Sequence, residues 1–337
     1  MATIEIAIDL GTSNTSIFAF SQGIVLQEPT MIAFVGGERQ KVLSVGHEAA
    51  ELLGKTPKNV VLSSPVSGGL VVDTESAAVL LRLFIARLIP NSFFPPKVKV
   101  IASVPVGLDP CERRSLEEII LSASKCVKEV TLVSNIILSA LGANLPIENA
   151  AGGLVANIGG GTSEIGAMSV CGIINAHGLL IGGDILDKAV MKFVTNRYHL
   201  EFGIASAKRL REEMGTLFEN DKTTRTVHGV DKKTATMTSA VITASDLYEV
   251  LNPYYMRIAD EIEDILSKCP SDASSEYNRT GVHIAGGAAK ISGLKEAFQN
   301  RLGLPVYISE NPQNSAILGA GKLLSNKQLL QKILAQN

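Results

Sequence analysis

The stretches IAIDLGTSNTSIFAF (residues 6–20) and LVANIGGGTSEIGAM (residues 154–168) follow one plan. Each runs as an apolar strand, an Asp or Asn, one apolar residue, a Gly-led turn with Thr and Ser, and a second apolar strand. A duplication spaced by about 150 residues constrains the fold more tightly than composition does, because it implies two similar α/β halves. Around the first copy, IEIAID, TSIFAF and IVLQE are short β-runs joined by LGTSN and SQG, which predicts a three-stranded antiparallel meander. Each copy is followed by a third strand and a helix, so the two hairpin turns are expected to face a shared cleft. A third glycine turn, VHIAGGAAKISG (residues 282–293), again follows a strand and precedes a helix signal.

Two helices can be placed from pattern alone. DTESAAVLLRLFIARLI (residues 73–89) sets Ala77, Leu80, Leu81, Phe84 and Leu88 on one face behind an Asp/Thr cap. DPCERRSLEEIILSA (residues 109–123) has Asp109 as N-cap, Pro110 in the first helical position, and Leu116, Ile119, Ile120 and Ala123 as its buried stripe.

The glycine turns suit a phosphate. Glycine lets the backbone come close to a ligand and turn successive N–H groups toward an anion. Thr12, Ser13, Thr162 and Ser163 add hydroxyl donors, and Asp9 at a strand end could hold a magnesium ion through water. Two such hairpins on opposite halves would clamp a triphosphate from both sides. The chain has no GxxxxGK[ST] loop and no GxGxxG between strand and helix, so those phosphate sites do not apply.

Bulk properties narrow the partners. The 337 residues suffice for two domains, and a net charge of −2 with no basic stripe argues against nucleic acid. The Lys208–Arg211 group is broken by apolar positions and reads as one solvated helix face. Cysteines 111, 126, 171 and 269 form no CxxC pair, which favours a reduced cytosolic chain over a zinc protein. A strand begins almost at the N-terminus and no apolar run reaches membrane-spanning length, so a soluble intracellular protein is expected.

The ordered motifs IDLGTSNT, GIVLQEPTMIAF, VGHEAAELLGKTPKNV, SVPVG with ERRSLEE, IGGGTSE, IGGDILDKAV, LREEMG, AGGAAKISGL and LPVYISENPQNSAILGAGK resemble the MreB-type bacterial actins. These belong to the actin/sugar-kinase/heat-shock-chaperone ATPase superfamily, and the likeness runs from about residue 4 to 324. The resemblance implies an α/β, actin-like two-domain fold: duplicated RNase H-like cores with smaller subdomains around a central cleft for ATP (or GTP) and Mg2+. Domain I would span residues 1–145 with a subdomain near 30–70, domain II residues 146–324 with a subdomain near 185–250, and a C-terminal helix residues 325–337. It also implies self-assembly into double protofilaments at the inner face of the cell membrane.

Carried over by position, Asp9, Gly11, Thr12, Ser13 and Asn14 form the first phosphate loop, and Gly159, Gly160, Gly161 and Thr162 the second. Gly182, Gly183 and Asp184 belong to the next nucleotide-binding motif. Arg211 and Glu213 fall where the family touches ribose and base, and Gly286, Gly287 and Ala288 where it closes over the adenosine. Phe93 and Phe94, braced by Pro90, Pro95 and Pro96, fall where the family inserts an apolar loop into the bilayer surface; plugging a core edge is the other reading.

Three positions depart from the family pattern. Asn157 stands where an Asp usually orients the magnesium shell and water, Asn135 where a Glu usually polarises the water, and Ala288 where a third glycine is common. An amide can hydrogen-bond a water but cannot take its proton. Nucleotide binding with slow or absent hydrolysis is therefore expected, possible partners being the chain itself and an active actin paralogue. A shifted alignment or a neighbouring acid such as Glu164 is the alternative, although Glu164, three residues past the glycines, is expected to point elsewhere. A sugar kinase would need a base near its acceptor and substrate-binding insertions. A chaperone would need a peptide-binding domain beyond the short helix NKQLLQKILAQ. A nucleotide-locked scaffold that does not polymerise remains the competing function.

Overall fold

The duplication is visible in the backbone. The computed structural model describes residues 3–36, 41–89 and 95–336, so Phe93 and Phe94 lie outside the described residues. In the first half, β1 (Thr3–Leu10), β2 (Asn14–Ala19) and β3 (Gly23–Pro29) form the expected antiparallel meander. Two further strands, β4 (Lys97–Val104) and β5 (Val127–Ser134), add in parallel on the other side of β1, giving the order β5-β4-β1-β2-β3. The second half repeats this with β6 (Gly153–Ile158), β7 (Ser163–Ser169), β8 (Gly172–Leu179), β9 (Val282–Ala285) and β10 (Val306–Ile308), in the order β8-β7-β6-β9-β10. Smaller three-stranded sheets built from residues between 32 and 63 and between 200 and 243 complete the described strands, apart from a two-stranded hairpin at 66–71.

The central strands read as near-continuous apolar runs because helices cover them. Ile6, Ala7 and Ile8 of β1 and Leu154, Val155 and Ala156 of β6 are all buried. Asp109 accepts from the Glu112 backbone N–H at 2.8 Å while Glu112 accepts from Asp109 N–H at 3.0 Å, a reciprocal cap that starts the Pro110–Ala123 helix. Its buried residues are the predicted Leu116, Ile119, Ile120 and Ala123. The Thr74–Ala86 helix buries Ala77, Leu80, Leu81 and Phe84 as predicted, but it ends before Leu88, which is only half-buried in the following turn.

Three apolar clusters result. One fills each half, and a third joins them through Ala7 and Ile101 from the first sheet, Val155 and Met168 from the second, and the Asn135–Gly142 and Ser315–Ser325 helices between. These two helices cross backbone to backbone: a Cβ on Gly142 would collide with the Ser315 carbonyl, and one on Gly319 with the Leu138 carbonyl. Lys322 Nζ donates to the Leu141 carbonyl at 2.5 Å and to Asn144 Oδ1 at 2.6 Å, placing a cation at the C-terminal end of the partner helix.

Gly142→Ala is expected to destabilise the protein by about 1–3 kcal/mol through overpacking of this crossing. Thermal melting checks it; an unchanged midpoint would show that the helices can separate freely.

Candidate functional site

Both hairpin turns close in the same way. Gly11 N–H donates to the Asn14 carbonyl at 3.1 Å and Gly159 N–H to the Thr162 carbonyl at 2.8 Å. The turns then meet across a cavity of about 520 Å³ between the halves. A Cβ at Gly160 would collide with the Ser13 side chain, and one at Gly161 with the Thr12 hydroxyl and the Gly68 N–H. The glycines are required by this close approach and not only by the turns themselves. The hairpin at 66–71 crosses the same point, its Gly69 N–H donating to Thr12 Oγ1 at 3.0 Å.

Asp9, Gly11, Thr12, Ser13, Asn14, Asn135, Asn157, Gly159, Gly160, Gly161, Thr162, Gly183, Arg211, Gly286, Gly287 and Ala288 all line the cavity. Gly182 and Asp184 do not. They brace the second turn from behind: Gly182 packs on the Gly160 and Gly161 backbone, and Asp184 N–H donates to the Gly160 carbonyl at 2.8 Å. Glu213 also falls outside. On the Ile204–Met214 helix, positions 208, 211 and 212 share the face toward the cavity, whereas Glu213 is turned about 100° further and pairs with Arg225. Glu212 stands where Glu213 was expected.

Arg211 is not on a solvated face. It is buried, and its Nε donates to Asp187 Oδ1 at 2.5 Å, tying this helix to the Gly183–Tyr198 helix. Burial raises the Asp187 carboxyl even with the guanidinium bonded to it. The third glycine turn follows its strand with a short 3-10 turn, Gly287–Lys290, and the expected helix comes directly after it as Leu294–Leu302. Position 286 requires glycine twice over, since its φ is 92° and any Cβ there would strike the Ile158 backbone. Tyr255 OH donates to the Ala288 carbonyl at 2.7 Å, and Ala288 with its methyl is accommodated on the cavity wall.

Asp9 remains partly open to the cavity at the end of β1, and Ser103 Oγ donates to its Oδ1 at 2.5 Å. Burial of the carboxyl nevertheless raises it above the ordinary carboxylate range. Among the described residues no cluster of three or more His, Cys, Asp or Glu forms a metal cage. A carboxylate at the cavity wall, Asp9, with amide and hydroxyl oxygens in the same lining fits Mg2+, which keeps most of its waters and is usually shared with substrate phosphates.

The largest correction concerns Glu164. It does not point away. It is 2% exposed, lines the cavity, and is the cross-strand partner of Asn157 in the β6–β7 pairing. Cross-strand partners face the same side of a sheet, so one residue directs the other. Its Oε1 accepts from Asn135 Nδ2 at 3.1 Å and from Thr162 Oγ1 at 3.3 Å, and its Oε2 from Val106 N–H at 3.0 Å. Burial outweighs these donors and pushes the carboxyl up to about 7. The signal was present in the repeat, since Glu164 sits seven residues after Asn157, as Ser16 does after Asp9. Ser16 pairs across from Asp9 and lines the cavity too.

Residues 3–332 match the family model of MreB/Mbl protein. The cell shape-determining protein MreB of Escherichia coli (strain K12) is 32% identical over 328 residues, covering 96% of this chain and 94% of the relative. The crystal structure of MreB5 of Spiroplasma citri bound to ADP superposes with a TM-score of 0.90 at 24% identity over 99% of both chains. A MamK double helical filament superposes with a TM-score of 0.81 at 17% identity, covering 96% of this chain and 99% of that one. The two-domain actin-like fold expected from the motifs is thus the fold observed.

Because the folded-state value of Glu164 lies near 7, above the ordinary 4.5, its site favours the neutral acid. That contribution to stability is fully present below the unfolded value and is lost as pH rises through the folded one. Glu164→Gln cannot ionise, so its melting temperature is expected to gain on the wild type as pH is raised from about 5 to about 8. A gap that stays constant across that range would show a carboxyl titrating normally.

Proposed function

The chain belongs to the MreB/Mbl family, and we propose that it is a bacterial actin-like cytoskeletal protein that binds ATP or GTP with Mg2+ in the cleft and polymerises. The observation that carries this reading is the meeting of two matching glycine turns across one cavity, with Asp9 on its wall. In this assignment the turns hold the phosphates through backbone N–H groups and the Thr12, Ser13 and Thr162 hydroxyls. Asp9 would hold Mg2+, and the cation would supply charge neutralisation of the phosphates. Lys208, Glu212 and the Gly286–Ala288 segment bound the nucleoside end. The ADP in the Spiroplasma citri neighbour and the filament formed by MamK support nucleotide binding and self-association.

Hydrolysis is proposed to be impaired. Asn135 and Asn157 both line the cavity, and neither amide can accept a proton. Losing a positioned base costs on the order of 10²–10⁴-fold in rate. Purified protein with saturating Mg-ATP is expected to bind nucleotide, form filaments visible by electron microscopy, and release phosphate about 10²-fold more slowly than a family member carrying both carboxylates. Equal rates would overturn impaired hydrolysis. Nucleotide binding without filaments would favour the locked, non-polymerising scaffold.

The proposed location is the cytoplasmic face of the cell membrane. Among the described residues no helix is long and apolar enough to cross a membrane. Phe93 and Phe94 would supply a peripheral contact of roughly 1.5–3 kcal/mol per ring, multiplied along a filament. Filaments of a Phe93→Ala, Phe94→Ala variant are expected to lose most of their pelleting with anionic lipid vesicles; undiminished pelleting would remove these residues from the contact.

A further inference from the structure

With amides at 135 and 157, one acid projects into the cavity from the second hairpin. Glu164 lies beside the Gly159–Thr162 turn, where the end of a triphosphate would be held. Its two oxygens offer about four acceptor sites, and Asn135, Thr162 and Val106 occupy three of them. One site remains. It is on Oε2; Asn135 donates its Nδ2 hydrogen to Oε1, which fixes the orientation of the amide, and the Asn135 Oδ1 is itself a buried acceptor with no hydrogen-bond partner. Buried acceptors are costly to leave unpaired and are usually satisfied by ordered water. Asn135 Oδ1 is thus a place for one water on the wall that Glu164 shares.

We propose that Glu164 is the proton acceptor for nucleotide hydrolysis in this chain, with Asn135 as a positioning residue that holds the attacking water and the Glu164 carboxylate together. This rests on the nucleotide-binding reading above and assigns its slow residual turnover to a group. The water oxygen forms a bond to the γ-phosphorus while the bond from that phosphorus to the β-bridging oxygen breaks, and the nucleoside diphosphate leaves with the electron pair. The water proton goes to Glu164, which later returns it to solvent or to the released phosphate. No oxidant or further reactant is required. A carboxyl that burial pushes up to about 7 is well matched to taking a proton near neutral pH. The charged group facing it is Asp9, across the cavity, whose charge raises Glu164 slightly further.

The test measures fluorescent-ATP affinity first, then single-turnover phosphate release between about pH 6 and about pH 8, for wild type, Glu164→Gln, Glu164→Asp and Asn135→Ala. The expected result is unchanged affinity throughout and release reduced about 10²-fold in Glu164→Gln, with the rise in rate across neutral pH abolished. Glu164→Asp should recover part of the rate. Asn135→Ala should slow release while keeping the pH dependence, because the base remains. If Glu164 merely braces the backbone at Val106, affinity and release fall together, Glu164→Asp rescues neither, and the proposal fails. Release by Glu164→Gln at the wild-type rate overturns it, as does wild type that binds ATP but releases no phosphate above buffer background. Wild type that binds no nucleotide overturns the functional reading and this inference together.

Discussion

Everything in the cleft depends on how closely the two glycine turns approach. Gly160 and Gly161 present bare backbone to the Ser13 and Thr12 side chains, and the Gly68–Gly69 corner fills the remaining side. A methyl at either position would push the halves apart, and the Asp9, Asn157 and Glu164 groups would no longer share one cavity. The same approach explains why the surrounding backbone is tied down so heavily. Thr30 Oγ1 donates to the Gly11 carbonyl at 2.7 Å on one side, and Gly183 and Asp184 N–H groups donate to the Gly159 and Gly160 carbonyls on the other. The carbonyls of both turns are thereby occupied from behind, which suits a site whose ligand is an anion.

The internal symmetry also shows where this protein has become asymmetric. Asp9 and Asn157 occupy matching positions, as do Ser16 and Glu164. The first half therefore carries its acid on the strand entering the turn and the second half on the strand leaving it. Each hairpin keeps one carboxylate at the cavity, and Asn135 bridges from the Asn135–Gly142 helix to the second of them. The amides at 135 and 157 do not strip the site of acid; they leave Glu164 without a carboxylate beside it on that face.

Features governed by local rules were legible in the sequence. The meander, the Asp109 cap with Pro110, and the stripe at Leu116, Ile119, Ile120 and Ala123 follow from turn chemistry and periodicity. What was missed depends on the direction of a single side chain within an element. Glu213 and Glu212 differ by one step of a helix, enough to send one to Arg225 and the other to the cavity. Arg211 looked like surface charge because Asp187, its partner, lies 24 residues earlier on another helix. Glu164 was misjudged by counting residues from the turn, when the two-residue period of the strand and its pairing with Asn157 decide its side. The glycine at 286 likewise answers to the Ile158 backbone, a neighbour far away in sequence.

The helix crossing at Gly142 and Gly319 has a mechanical consequence. A contact made of backbone has no rotamers to rearrange, so it fixes the separation of the two helices and transmits strain between them. The Asn135–Gly142 helix comes from the strand ending at Ser134, and the Ser315–Ser325 helix follows the second half's last sheet strand. Relative motion of the halves would pivot here, with displacement small at the crossing and growing toward the outer sheets. Asn135 begins one of the pivoting helices while its amide grips Glu164 in the opposite half. The amide contact that orients the acid thus also spans the joint, and the reactive geometry would register how far the molecule is closed.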